Sequence, residues 1–257
     1  MRKANHFKMI VTDLDGTLLR NDKTISPYTI KTIAKLRQSG HKFVVATARP
    51  LRAAKKFLES MEIDAGIYHN GALLYRGKNK IDSYQIDHAH DVIHSILNLN
   101  PSAFVAAEVD DILYSNFAAE RLWPGTDYTL TQSDFSEICG KKADKIIVEV
   151  NSLEDMEKYK SVLTDDLYIQ ISENIIGMIM KKAAAKSNGI QYLASEFGIG
   201  TENIIAFGDD YNDIDMIQTA GIGICVKNGL DIVKNHADAI CGSKEEDGVA
   251  KWLEKNM

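Results

Sequence analysis

Short apolar runs, partly β-branched, alternate with longer stretches whose apolar positions recur every three or four residues. The first run, Met9-Ile10-Val11, has no polar face and predicts a strand buried on both sides. A small polar flap over 18–25 turns at Asn21-Asp22. Ser26 and Pro27 then open a helix as N-cap and first helical residue. Ile30, Ile33 and Ala34 mark its apolar side, and Gly40 closes it. A strand over 43–46, a helix over 51–61 and a strand over 66–69 follow, the last ending at the turn signal Asn70-Gly71. Strand and helix in alternation predict a parallel sheet with right-handed crossovers.

The pattern changes after Ala72. Short strands over 73–75 and 83–86 precede a helix over 88–97. Apolar runs at 104–109 and 112–115 flank Asp110-Asp111 as a hairpin, and an irregular stretch over 123–139 follows. A strand over 145–150, a helix over 153–163 and a second hairpin, 168–171 with 175–180 about Glu173-Asn174, complete this region. Helix and hairpins together predict an antiparallel sheet covered on one face. The strand–helix order returns at Lys186, with a helix closed by Gly198 and strands over 204–207, 222–226 and 239–241. Helices over 212–220, 229–237 and 248–255 lie between and after them. The expected architecture is α/β: a Rossmann-like parallel-sheet core, residues 1–80 and 183–257, interrupted by an α+β module over 81–182.

At 257 residues, 45% hydrophobic and 26% charged, the chain has the composition of a soluble globular protein. A formal net charge of -6 without a long basic run argues against nucleic acid as a partner. Cys139, Cys225 and Cys241 are odd in number and widely spaced, so neither a disulfide framework nor a zinc site is expected. The opening residues are charged but lead into no apolar signal region, and no segment approaches the ~20 apolar residues of a membrane span. The expected location is the cytoplasm, without a membrane partner.

Candidate chemistry sits at strand ends. Asp13-Leu14-Asp15-Gly16-Thr17-Leu18 follows the first strand. Residues two apart on an extended chain point the same way, so Asp13 and Asp15 are expected to face one crevice. Two neighbouring carboxylates repel, and a divalent cation with hard oxygen ligands relieves that best. Asp-x-Asp at a strand end is also ordinary turn chemistry, so the motif needs a partner. Gly208-Asp209-Asp210-Tyr211-Asn212-Asp213 supplies one, where a late strand hands over to a helix. Ligands of open parallel sheets bind at the carboxyl ends of strands, so one crevice can receive both clusters. There Asp209 is placed to join Asp13 on a cation, Asp213 to orient a water or an ammonium, and Asn212 to donate to a substrate oxygen.

Together with Thr47-Ala48-Arg49 and Lys186, these clusters resemble the four ordered motifs of haloacid dehalogenase-like phosphatases. The position of the insert is similar to that of the Cof-type branch, as are His69-Asn70-Gly71-Ala72 and Glu246-Asp247-Gly248-Val249-Ala250. The chain departs from the branch in Ala48, where Gly is usual, and in Ser187-Asn188-Gly189 after the lysine. The resemblance implies a Mg²⁺-dependent phosphomonoester hydrolase for small phosphorylated metabolites such as sugar phosphates. In it Asp13 is the nucleophile that forms an aspartyl-phosphate, and Asp15 the acid and base. Asp13, Asp209 and the Asp15 carbonyl oxygen hold the cation, with Asp213 in support. Thr47, Asn212 and Lys186 bind the phosphoryl group, Arg49 contacts substrate, and the insert is a cap that selects it. The molecule is expected to be a monomer or weak oligomer. A phosphomutase of the same architecture and a non-catalytic sugar-phosphate sensor remain open on sequence alone. A signalling receiver domain has neither an acid two residues past the nucleophile nor such an insert.

Overall fold

The computed structural model describes residues 7–257 except 133 and 173–175. The opening residues 1–6 and the expected turn at Glu173-Asn174 therefore lie outside the described residues. The chain divides into two compact units, one formed by the chain up to Asp82 and from Ala185 onward, the other by Ser83–Ala184. Among the described residues no helix is long and apolar enough to cross a membrane.

The first unit begins with β1 (Met9–Thr12), α1 (Pro27–Gln38), β2 (Lys42–Ala46), α2 (Leu51–Leu58), β3 (Ala65–Tyr68), β4 (Leu73–Arg76) and β5 (Asn79–Ser83). In the second unit, α3 (Ala89–Leu99) precedes β6 (Val105–Val109), β7 (Ile112–Ser115), β8 (Thr129–Leu130) and β9 (Lys145–Glu149). It ends with α4 (Leu153–Lys160), β10 (Leu167–Ser172) and β11 (Ile176–Lys181). The first unit resumes with α5 (Lys186–Phe197), β12 (Ile204–Gly208), α6 (Ile214–Thr219), β13 (Ile222–Val226), α7 (Asp231–His236), β14 (Ala239–Cys241) and α8 (Gly248–Asn256).

Eight strands of the first unit form one sheet in the order β14-β13-β12-β1-β2-β3-β4-β5. The pairs from β14 through to β3 are parallel, and β4 returns antiparallel to β3. Both faces of this sheet are covered, which is why its strands are runs of Val, Ile and Phe without polar alternation. On one face Ile10, Phe43, Val45 and Phe207 pack with Ile33 of α1, Leu58 of α2 and Leu253 of α8. On the other, α5 approaches so closely that a Cβ on Gly189 would lie 2.9 Å from Ile67. α1 starts as expected: Ser26 accepts a hydrogen bond from the Thr29 N–H, with Pro27 as the first helical residue.

The second unit is a six-stranded sheet in the order β10-β11-β9-β6-β7-β8, antiparallel except for the short β7–β8 pair. α3 and α4 cover one face, where Ile93 and Tyr159 meet Val105, Ala107, Ile146 and Val148. The β6–β7 hairpin turns on Asp110 and Asp111, both left-handed. Two expectations need correction. The strand expected over 83–86 instead runs over Asn79–Ser83 and joins the first unit's sheet, while Ile86 makes only an isolated bridge to Ala143. β5 is an edge strand with little burial, so it has no apolar alternation to announce it. α2 and α4 stop at Leu58 and Lys160, before the expected 61 and 163. Met61, Val162 and Leu163 still pack into the cores, through turns that prolong the apolar pattern past the helix ends.

Candidate active site

From β1 the chain runs outward through β2 to β3 on one side, and later through β12 to β14 on the other. The carboxyl ends of β1 and β12 thus flank the switch point at which such sheets bind ligands. Asp13 leaves the end of β1, its N–H held 3.0 Å from the Phe207 carbonyl of β12. Its Oδ1 accepts a 2.7 Å hydrogen bond from Lys186 Nζ, which also donates to Asp213 Oδ1 at 2.6 Å. Lys186, the first residue of α5, is only 1% exposed, so its charge is neutralised almost entirely by these two carboxylates. The other oxygen of Asp213 accepts the N–H groups of Asp209 (2.9 Å) and Asp210 (3.1 Å), shaping the turn after β12. Thr17 donates to Asp209 Oδ1 at 2.6 Å, tying the two strand ends together.

Carboxylate oxygens of Asp13, Asp209 and Asp213 lie within 4.8 Å of one another. Three carboxylates surround one ammonium, and the proton affinities of Asp13 and Asp209 are raised. Burial, then the charges of Asp213 and Asp209, push Asp13 well above the carboxylate range, against the opposing pull of Lys186. Burial also lifts Asp209 to about 6, against the Thr17 hydrogen bond. Burial alone would lower Lys186, yet the charges of Asp13 and Asp213 raise it, so it stays an ammonium. A buried, all-oxygen group with surplus negative charge fits a hard divalent cation.

The third carboxylate here is Asp213, expected as a support of the site; for Asp15 the expected ligand is its carbonyl oxygen. The backbone leaves the extended conformation past β1: the Leu18 and Leu19 N–H groups both bond the Leu14 carbonyl, and Gly16 lies between at φ 87°. Asp15 is gripped instead by cations. Arg49 makes a two-pronged contact, Nη2 lying 2.7 Å from Oδ1 and Nε meeting Oδ2, while Lys23 Nζ lies 2.8 Å from Oδ1. Burial raises its pKa, but these hydrogen bonds outweigh that and hold Asp15 below its ordinary value.

Thr47 directly follows β2 and is buried, its hydroxyl accepting the Arg49 N–H at 3.1 Å. Asn212 sits in the turn before α6 and donates to Asn70 Oδ1 at 2.9 Å. Two residues that sequence reasoning passed over therefore join the neighbourhood. Asn70-Gly71 read as a plain turn, yet the left-handed Asn70 (φ 54°) is buried and directs its amide oxygen to Asn212. Lys23, in the polar flap, carried no signal beyond turn composition.

An acidic group thus stands at the switch point of a Rossmann-like sheet, in a chain with an α+β unit inserted after the fifth strand. Residues 10–253 match the family model of haloacid dehalogenase-like hydrolases. The chain is 32% identical to a 5-amino-6-(5-phospho-D-ribitylamino)uracil phosphatase of Bacillus subtilis, over 96% of each chain. It is 24% identical to the pyridoxal phosphate phosphatase of Escherichia coli, over 97% of this chain and 98% of that one. A solved haloacid dehalogenase-like hydrolase from Bacteroides thetaiotaomicron superposes with a TM-score of 0.85 at 22% identity, covering 98% of this chain and 100% of that one, and so shares the fold. The chain belongs to the haloacid dehalogenase-like hydrolases. It is an enzyme, a phosphatase of that family.

Proposed function

We propose that the protein is a Mg²⁺-dependent phosphomonoester hydrolase for small phosphorylated metabolites, sugar phosphates among them, acting through an aspartyl-phosphate on Asp13. The single observation that carries this reading is the buried Lys186 shared by Asp13 and Asp213, with Asp209 beside them. Lys186 fixes the Asp13 carboxylate for attack on phosphorus. A bond then forms from Asp13 to phosphorus as the ester oxygen departs, splitting one hard displacement into two easier ones. Asp15 gives its proton to the departing oxygen, then takes one from the water that cleaves the acyl phosphate. A substrate dianion competes with Asp15 for Arg49. As that guanidinium turns toward the phosphate, Asp15 regains the proton affinity that an acid needs.

Thr47 and Asn212 are assigned to the phosphoryl oxygens, and Lys186 adds positive charge beside them. Mg²⁺, held by Asp13, Asp209 and the Asp15 carbonyl oxygen, would offset the repulsion between carboxylate and phosphate. Asp213 supports that set by holding Lys186 and the backbone of Asp209 and Asp210. The inserted unit is assigned the choice of leaving group, because every group named for the chemistry belongs to the other unit. Relatives named for phosphoribitylaminouracil and pyridoxal phosphate support small phosphorylated metabolites as the substrate class.

The two acids should fail differently. Asp13→Asn is expected to form no phosphoenzyme. Asp15→Asn should lose on the order of 10²–10⁴ in rate while still trapping phosphate from a substrate with a good leaving group. Mass spectrometry of the trapped enzyme checks this, and phosphate on a residue other than Asp13 would reject the assignment.

A further inference from the structure

The tail motif Glu246-Asp247-Gly248 lies outside the chemistry above, yet its loop is tied to the segment that presents Asp15. Asp247 accepts hydrogen bonds from Arg20 Nη2 on both carboxylate oxygens, each at 2.9 Å, and from Thr29 Oγ1 at 3.2 Å. The neighbouring Glu245 accepts the Asn21 N–H at 2.7 Å. A third tie runs through Asn228, whose amide donates to the Gly16 carbonyl at 2.7 Å and whose oxygen accepts the Lys244 N–H at 2.9 Å. The loop packs tightly on itself: Asp247 is left-handed (φ 56°), and a Cβ on Gly248 would lie 1.9 Å from the Gly242 carbonyl oxygen.

The flap held in this way is a closed turn. Arg20 N–H donates to the Thr24 carbonyl and Lys23 N–H to the Arg20 carbonyl, while Asp22 caps Thr24 through its N–H and hydroxyl. Lys23 itself adopts φ 62°, an uncommon conformation for a lysine, and from there its ammonium reaches Asp15 Oδ1. Exposed ion pairs contribute little to stability, so stability alone does not account for so many ties on one short flap.

We propose that the 243–247 loop, through Asp247 and Arg20, anchors the flap so that Lys23 acts as a positioning residue for Asp15. The inference rests on the acid role assigned to Asp15 above. Arg49 grips both oxygens from one side, and Lys23 from the flap stops the carboxylate from turning away with it. A misplaced acid matters most when the departing oxygen is basic and needs its proton early.

The test is kcat/KM on p-nitrophenyl phosphate and on phenyl phosphate, whose leaving group is far poorer. Lys23→Met and Asp247→Asn should each lose roughly tenfold on phenyl phosphate and less than about twofold on p-nitrophenyl phosphate. Lys23→Arg should recover most of the loss, and in an Asp15→Asn background neither change should add to it. Equal losses on both substrates, or none, overturn the inference, since a merely structural role lowers the active fraction for every substrate alike. If Asp15→Asn is sensitive to the leaving group and the flap variants are not, only this inference falls. If Asp15→Asn is itself indifferent, the acid role falls and takes the inference with it.

Discussion

Gly16 is the residue on which the site closes. With φ 87° and a virtual Cβ only 2.0 Å from Asp209 Oδ2, it admits no side chain without moving Asp209. Gly16→Ala should therefore break the Thr17–Asp209 bond and cost on the order of 10²-fold in kcat/KM, with the fold intact by circular dichroism. Asp209 also sets a pH dependence. Its pKa is raised to about 6 from an ordinary value near 4, so the folded state binds the extra proton. The metal-free protein should then lose stability as pH rises from about 4 through 6. Mg²⁺, competing with protons for the same oxygens, should raise Tm more at pH 7 than at pH 5. Thermal scans at both pH values with a chelator or Mg²⁺ check this; no shift at pH 7 would remove the cation from the reading. Asp13, Asp15, Lys186 and Asp209 were legible as residues because acids and ammonium stand at strand and helix ends. Their pairing was not. That Lys186 bridges Asp13 and Asp213 while Arg49 and Lys23 take Asp15 depends on which distant segments the fold brings together.

At the scale of elements, apolar runs and caps carried most of the information. β1, β2, β12 and β13 are buried on both faces, so a run of Val, Ile and Phe sufficed to locate them. β5 escaped because its five residues pack nothing fully, and an edge strand is decided by a neighbour rather than by its own pattern. Polar clamps between elements are equally silent in sequence. Asp87, just before α3, accepts 2.6 Å hydrogen bonds from Lys142 and from Lys181 at the end of β11, fastening the beginning of the inserted unit to its end. The two lysines, Lys142 first, depress its pKa to about 2. Its pKa is lower folded than unfolded, so its contribution is present above about pH 4 and fades as pH falls toward 2. Asp87→Asn should thus lower the Tm of the insert at pH 7, with the gap to the wild type narrowing below pH 4. The side chain is 41% exposed, so water screens the pair and the shift should be small.

On the scale of the whole molecule, two units are built from one chain: the eight-stranded sheet with its flanking helices, and a six-stranded sheet under α3 and α4. Replacing Ser83–Ala184 with a short linker should leave acetyl phosphate turnover measurable while reducing kcat/KM for the best metabolite at least tenfold more, as expected when remote binding energy supports the transition state. Circular dichroism must first show the shortened chain folded; equal losses would remove substrate choice from the insert. The sequence by itself determined the alternation of strands and helices, the interruption by a different module, and which acids and lysine stand at element ends. These are local matters, set by burial on both faces and by residue type at element ends. Only the tertiary structure decided which carboxylates converge, because Asp213 and Asp13 are brought to Lys186 by a sheet order that joins β1 to β12 across most of the chain. It also decided that Asn70 meets Asn212 and that the tail loop grips the flap. Such contacts arise between segments whose separation in sequence leaves no periodic trace.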